Sequence, residues 1–475
     1  MESEAARIPT SSAVTGPAPL TVHPVDTPPG PTPAPGREVT SDPAPGTAPA
    51  TAPATGNGTA PGNGPAPATA GRLVTRRHRR PSALVEGFRM VAVRAVVVVV
   101  LAEIGLHAFG REFFLSPGLG GGHSSLLLSF FHWDAVHYQT IALHGYDQRP
   151  LTAFFPLYPL MIRTLHWVGV PAPDGALALS WAATVAAAAV LVHLARDRFG
   201  LERWSAVVVL ALWSPASFFF FTGYPEPFEL LLLAVVLAFV ASRRFAAAAV
   251  AAGVASALAP FGAFFVVPVV VGMVQAHLTQ PRDQPSRTIW RLGARLAGAV
   301  VVSEIGVAAY SAYLWAAFGS PTAFVSSQSG WNRIFTYPLH SLIWPIVRTL
   351  SGQLVGDPRY NANVVATDAI DIAVALAVIA AFAVLVVAVV RRGGRSSVLL
   401  PGTVLLGLSL LFELSDAPAG GVSPEALARH FAVVVPVFVA GASIRRPESL
   451  AGLVAVSAVL GAVAQIFYFH GMWFT

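Results

Sequence analysis

Apolar runs of roughly 17 or more residues recur from about residue 89 onward, with arginines at many of their ends. A run of that length spans a bilayer as a helix, where every backbone group must be satisfied within the segment. Composition agrees: 54% of the 475 residues are hydrophobic and 11% charged, with a mean hydropathy of +0.62. The fold class expected is therefore an all-α polytopic membrane protein, a bundle of about 9–11 transmembrane helices.

Several function classes fall away at this stage. Cysteine is absent, which removes disulfides, thiolate metal sites and a Cys nucleophile. The chain contains no Lys, so all 30 basic residues are Arg, a bias that points to a GC-rich bacterial genome. The pI near 10 does not indicate nucleic acid, because the arginines mark the ends of apolar runs, which is a topology signal.

Residues 1–71 are rich in Pro, Ala, Thr and Gly and poor in large apolar side chains, so they cannot offset the entropy of ordering and are expected to be disordered. They are no signal peptide, since the first apolar run begins near residue 90. A basic juxtamembrane segment, 72–88, follows, and the membrane domain occupies 89–475. Arg72, Arg76, Arg77, Arg79, Arg80, Arg89 and Arg94 crowd the first span and place the N-terminus in the cytoplasm, within a plasma membrane. Spans are expected at about 89–109, 176–195, 205–221, 226–242, 296–318, 368–390, 397–414, 428–444 and 449–469. Two segments resist a full crossing. Residues 151–170, broken by Pro156 and Pro159, read as re-entrant or surface-lying. Residues 245–275, with Pro260-Phe261-Gly262 inside, read as two half-helices.

This arrangement leaves one face rich in polar and aromatic residues, in amphipathic and re-entrant segments: a first outer loop (110–150), the turn 222–227, the tip at Pro260, a second long loop (319–367) and residues 415–425. In the first loop, Asp134 lies between Trp133 and the histidines His132 and His137. Phe130, Phe131, Ala135, Tyr138, Ile141 and Ala142 share one side of a helix. Asp134 suits a general base; a helix cap or a solvated acid is the simpler alternative. The histidine spacing is not that of a zinc site, and no metal is expected. Glu226, after a span end, is either functional or the acidic first turn of the next helix. Gln328, Trp331 and Arg333 follow Gly-Ser-Pro; Arg beside Trp suits a phosphate and a sugar ring, or equally an aromatic belt. Arg429, with His430, stands near the outer end of a span, against the charge trend, and asks for an anion.

Together, WDAVHY, FFPLYPLMIR, FFFFTGYPEPFELLLL, YLWAAFGSPTAFVSSQSGWNR, ARHFAVVVPVF and YFHGMWFT resemble, in order, the PIG-V-like mannosyltransferases, within the GT-C superfamily, over residues 85–475. The resemblance implies a GT-C-like bundle that performs inverting transfer of mannose from polyprenyl-phosphate-mannose to a lipid- or protein-linked acceptor. It implies no cofactor and no nucleotide. Asp134 falls on the catalytic acidic position. Trp133, His137, Tyr158, Glu226, Gln328, Trp331, Arg333 and Arg429 are the expected substrate contacts. The family's YxES turn keeps Glu226 and loses its Ser to Pro227. No Arg precedes Pro260, so Arg429 or Arg333 supplies the positive charge. Readings from other classes are a transporter or flippase of a lipid-linked saccharide and a non-catalytic assembly subunit. No internal repeat favours a transporter.

Overall fold

A computed structural model of the chain describes residues 81–107, 126–279, 285–331, 333–351, 358–418 and 427–472. The expected disordered arm, 1–71, lies outside the described residues, as do much of the first outer loop and the side chains of Trp331 and Arg333.

Helices dominate. The first half runs α1 Ala83–His107, α2 Asp134–His144, α3 Leu157–Trp167, α4 Ala172–His193, α5 Trp204–Leu212, α6 Glu226–Ala241, α7 Phe245–Ser256 and α8 Val266–Leu278. The second half runs α9 Pro285–Ser303, α10 Ile305–Phe318, α11 Ala323–Ser326, α12 His340–Leu350, α13 Pro358–Arg391, α14 Leu400–Glu413, α15 Leu427–Phe431, α16 Val435–Gly441 and α17 Pro447–Phe469. One departure from an all-helical chain is a short antiparallel pair, β1 Arg333–Phe335 against β2 Asp416–Pro418. It ties the second long loop to the segment after α14.

By length and composition, five described helical segments can cross a bilayer, and the pair α9/α10, bent by 54°, makes a sixth. Other expected spans are interrupted. The run 205–221 stops at Leu212 and resumes as a 3-10 turn, Ser217–Phe221, because Pro215 cannot continue a helix. The run 428–444 breaks between α15 and α16, just before Pro436.

Both segments read as incomplete crossings are broken where the prolines stand. Helix α3 is 11 residues long, about 16 Å, too short to span. Helices α7 and α8 are separated by a 3-10 turn, Pro260–Phe265. That turn requires glycine at 262: a Cβ there would run into the Ala255 carbonyl oxygen. The break also accepts a hydrogen bond, Leu157 N–H to Ala257 O at 3.0 Å, and so seats the start of α3.

The arginine-marked ends lie together, away from Asp134. Arg203 donates to Ile444 O at 3.0 Å, Arg196 stacks 5.8 Å from the Trp204 ring centre, and Arg243 and Arg244 follow the far end of α6 from Glu226. Inside the bundle, Arg94 is buried in α1 with no carboxylate partner among the described residues. It donates to Leu212 O at 2.8 Å and to Ser217 Oγ and Gln465 Oε1 at longer range, satisfying a charge that apolar packing alone would not tolerate. This network joins α1 to α17 and to the break after α5.

The close approach at the α7–α8 break gives the first prediction. Gly262→Ala lowers the thermal midpoint of the detergent-solubilised chain by several degrees. Gly293→Ala, in exposed helix with open space around its Cα, leaves it unchanged or raises it, by up to about 1 kcal/mol of helix propensity. Differential scanning fluorimetry reads both.

Candidate active site

The polar end of the bundle is built on aromatic packing. Phe130, Phe131, Ala135, Tyr138, Ile141 and Ala142 are all buried, so the stripe seen in the sequence turns inward onto the bundle. The Tyr224 hydroxyl donates to His132 O at 2.9 Å, His132 N–H points at the Tyr468 hydroxyl at 3.3 Å, and Gly223 N–H reaches Phe130 O at 3.3 Å. Three stretches far apart in sequence thereby meet: the first loop, the 222–227 turn and the end of α17. Trp133, just before α2, holds φ 55°, a left-handed conformation unusual for a bulky residue. It turns the chain so that Asp134 opens the helix.

Asp134 Oδ2 accepts a hydrogen bond from Arg429 Nη1 at 2.7 Å. Arg429 Nε lies 3.3 Å from Glu226 Oε1, an ion pair without hydrogen-bond alignment. The guanidinium also sits 5.6 Å from the ring centres of both Phe219 and Tyr224. The three charged side chains are only 9–20% exposed, so the Coulombic attraction among them is weakly screened. The other carboxylate oxygen of Asp134 makes no hydrogen bond among the described residues. It is therefore open to a proton while the hydrogen bond from Arg429 aims the group.

Helix α15, five residues long, is gripped by acids from four other helices. Asp371 of α13 accepts from Ala428 N–H at 2.8 Å. Asp134 of α2 and Glu226 of α6 hold Arg429. Glu413 at the end of α14 pairs with His430 Nδ1 at 2.6 Å. Glu229, one turn beyond Glu226, is buried within electrostatic range of Glu226, Arg429 and Glu413.

The remaining expected contacts fall into three groups. His137 is half-buried, its ring centre 5.2 Å from that of Phe154; burial pushes its imidazole below the usual range while the Asp134 charge opposes that shift. Tyr158 is fully buried with its hydroxyl bonded to Ala176 O and Ser180 Oγ, so it packs beneath the site and presents no surface to a ligand. Gln328 lies half-buried beside Ser327, which bonds Thr152 and Arg149 O; no bond joins Gln328 to Asp134. Glu229, Glu413 and Asp371 were not singled out in the sequence, where each reads as an isolated acid in an apolar run. The cue was their recurrence at the same end of successive spans. Among the described residues, no group of three His, Asp or Glu is placed to hold a metal ion.

At the C-terminal end of α2, two turns from Asp134, lies a cavity of about 420 Å³, lined by Ile141, Tyr146, Leu157, Leu160, Tyr310 and Tyr313 among others. The Tyr146 and Tyr310 hydroxyls are turned onto backbone oxygens at Thr152 and Phe154, leaving their rings to line an apolar cleft.

Part of this chain is similar to a mannosyltransferase. It is 31% identical over 109 residues to GPI mannosyltransferase 2 of Drosophila pseudoobscura pseudoobscura, a match taking in 20% of this chain and 24% of that protein. The chain thus spans about a quarter of the curated relative it matches. No family model matches. Among solved structures, the oligosaccharyltransferase of Archaeoglobus fulgidus aligns over 79% of this chain and 52% of its own, at 13% identity and a TM-score of 0.35.

Two predictions follow from the charges at this end. Arg429→Gln leaves Asp134 and Glu226 unpaired in a buried place and costs about 3–5 kcal/mol, read as a loss of thermal stability. The second concerns His132, whose ring nitrogens are buried without partners. Burial lowers its pKa to about 4, against about 6.5 unfolded. Between those values the unfolded chain binds a proton that the folded chain does not, so stability falls as pH drops through that window. His132→Asn shows a smaller loss of thermal midpoint between pH 7 and pH 5 than the parent.

Proposed function

We propose that the chain is an inverting glycosyltransferase. It moves a mannosyl residue from a polyprenyl-phosphate donor to a hydroxyl of a lipid- or protein-linked acceptor, at the extracytoplasmic face of the membrane. The observation that carries this reading is the Asp134–Arg429–Glu226 cluster, at the end of the bundle opposite the arginine-rich loops. The positive-inside rule assigns those loops to the cytoplasm. The partial likeness to a mannosyltransferase supports the same chemistry.

Asp134 takes the acceptor hydroxyl proton on its open oxygen as that hydroxyl attacks the anomeric carbon. A base so placed contributes on the order of 10²–10⁴-fold. Arg429 holds the carboxylate pointed, and Glu226 fixes Arg429 from its other edge. His137, beside Asp134 on the next turn, and Trp133 border the acceptor. The second loop, which carries Gln328, is tied by β1 and β2 to the segment after α14, and its residues are assigned to the sugar. The apolar cleft against α2 receives a prenyl tail, so a lipid-borne sugar meets the acceptor at the membrane surface. The chemistry needs no organic cofactor.

Asp134→Asn removes the base while keeping the hydrogen bond to Arg429. Membranes carrying this variant, at parental expression, lose transfer of label from polyprenyl-phosphate-mannose to acceptors by at least about 100-fold. Transfer at the parental rate would discard Asp134 as the base. A parent with no transfer to any acceptor, but with passage of lipid-linked sugar across vesicles, would establish a transporter instead.

A further inference from the structure

Arg429 is already committed to two carboxylates, so it is poorly placed to serve as the sole partner of a departing phosphate. The next residue on the same short helix has the opposite character. His430 bonds through Nδ1 to Glu413, a carboxylate only 4% exposed, while its own side chain is 26% exposed. An ionised carboxylate can only accept, so Nδ1 carries the hydrogen and the ring is fixed in orientation. Its far nitrogen, Nε2, has no partner among the described residues and is not enclosed. Glu413 is itself held in place: its backbone oxygen accepts from Ser341 Oγ of α12 at 3.1 Å. Three helices therefore cooperate to hold one imidazole with one nitrogen free.

We infer that His430, as the imidazolium in which both ring nitrogens carry hydrogen, is the phosphate-binding group of this site, its Nε2–H donating a hydrogen bond to the phosphate of a prenyl-phosphate lipid and its Nδ1–H donating to Glu413, the positioning residue. This rests on the glycosyl-transfer reading for its place in the reaction, not for the binding itself. In the transfer, the bond from the anomeric carbon to the phosphate oxygen breaks and its electron pair stays on that oxygen. The acceptor oxygen forms the new bond and its proton passes to Asp134. The hydrogen bond from His430 strengthens as charge grows on the leaving oxygen, which is where a fixed donor is most effective.

The test is equilibrium binding of farnesyl phosphate and of farnesol to the full chain in nanodiscs. The parent prefers the phosphate. His430→Ala weakens farnesyl phosphate roughly 10-fold, the size of one charge-assisted hydrogen bond, and leaves farnesol unchanged. His430→Gln, whose amide can donate from a similar position, recovers most of the loss. Glu413→Gln, which frees the ring, falls between. A parent that binds the two lipids alike, a His430→Ala variant with parental phosphate affinity, or an equal loss for both lipids would each overturn the assignment. The two readings separate cleanly: phosphate binding that depends on His430 in a chain without sugar transfer keeps this inference and removes the other. Sugar transfer with unaltered binding in His430→Ala does the reverse.

Discussion

One guanidinium holds the polar end of this bundle together. Arg429 is drawn to Asp134 on one side and Glu226 on the other, with two aromatic rings beneath it. Each carboxylate belongs to a different helix, so the interaction ties α2, α6 and α15 into one unit. In a poorly screened setting such a pairing is costly to build and more costly to break. It is therefore weak evidence for stability and better evidence that the chain needs these charges in these places.

The breaks in the helices serve the same end. A continuous helix from 428 to 444 would present Arg429 and His430 on the flank of a span, facing apolar surroundings. Stopping at Phe431 and restarting at Val435 leaves a short helix whose polar groups are reached by acids from four directions. The interrupted run 205–221 allows Phe218 and Phe219 to pack around Tyr224 and Tyr468. The turn at Pro260 gives α3 its anchor. Irregular backbone is tolerated here because it is buried against protein.

Much of this was legible beforehand. The amphipathic stripe of the first loop is the buried face of α2, Pro156 stands immediately before the start of α3, and Pro260 opens the turn that separates α7 from α8. Asp134, Glu226 and Arg429 stood out as charges at the ends of apolar runs, and they meet. Tyr158 did not behave as expected. Its motif suggested a ligand contact, yet its hydroxyl is used between α3 and α4, because a tyrosine facing inward must find a polar partner within the core. Glu413 and Asp371 were passed over because one acid in an apolar run carries no local pattern.

By itself the sequence determined the class of the molecule, a bundle of apolar helices, and the points at which those helices fail. Length, apolarity and proline position are local properties that act wherever the chain is placed. Which charges face one another was decided only by the tertiary structure: Arg429 finds its carboxylate 295 residues away, and His430 finds Glu413 on a neighbouring helix. Pairings of that kind depend on how helices rotate and cross, which no stretch of sequence encodes alone.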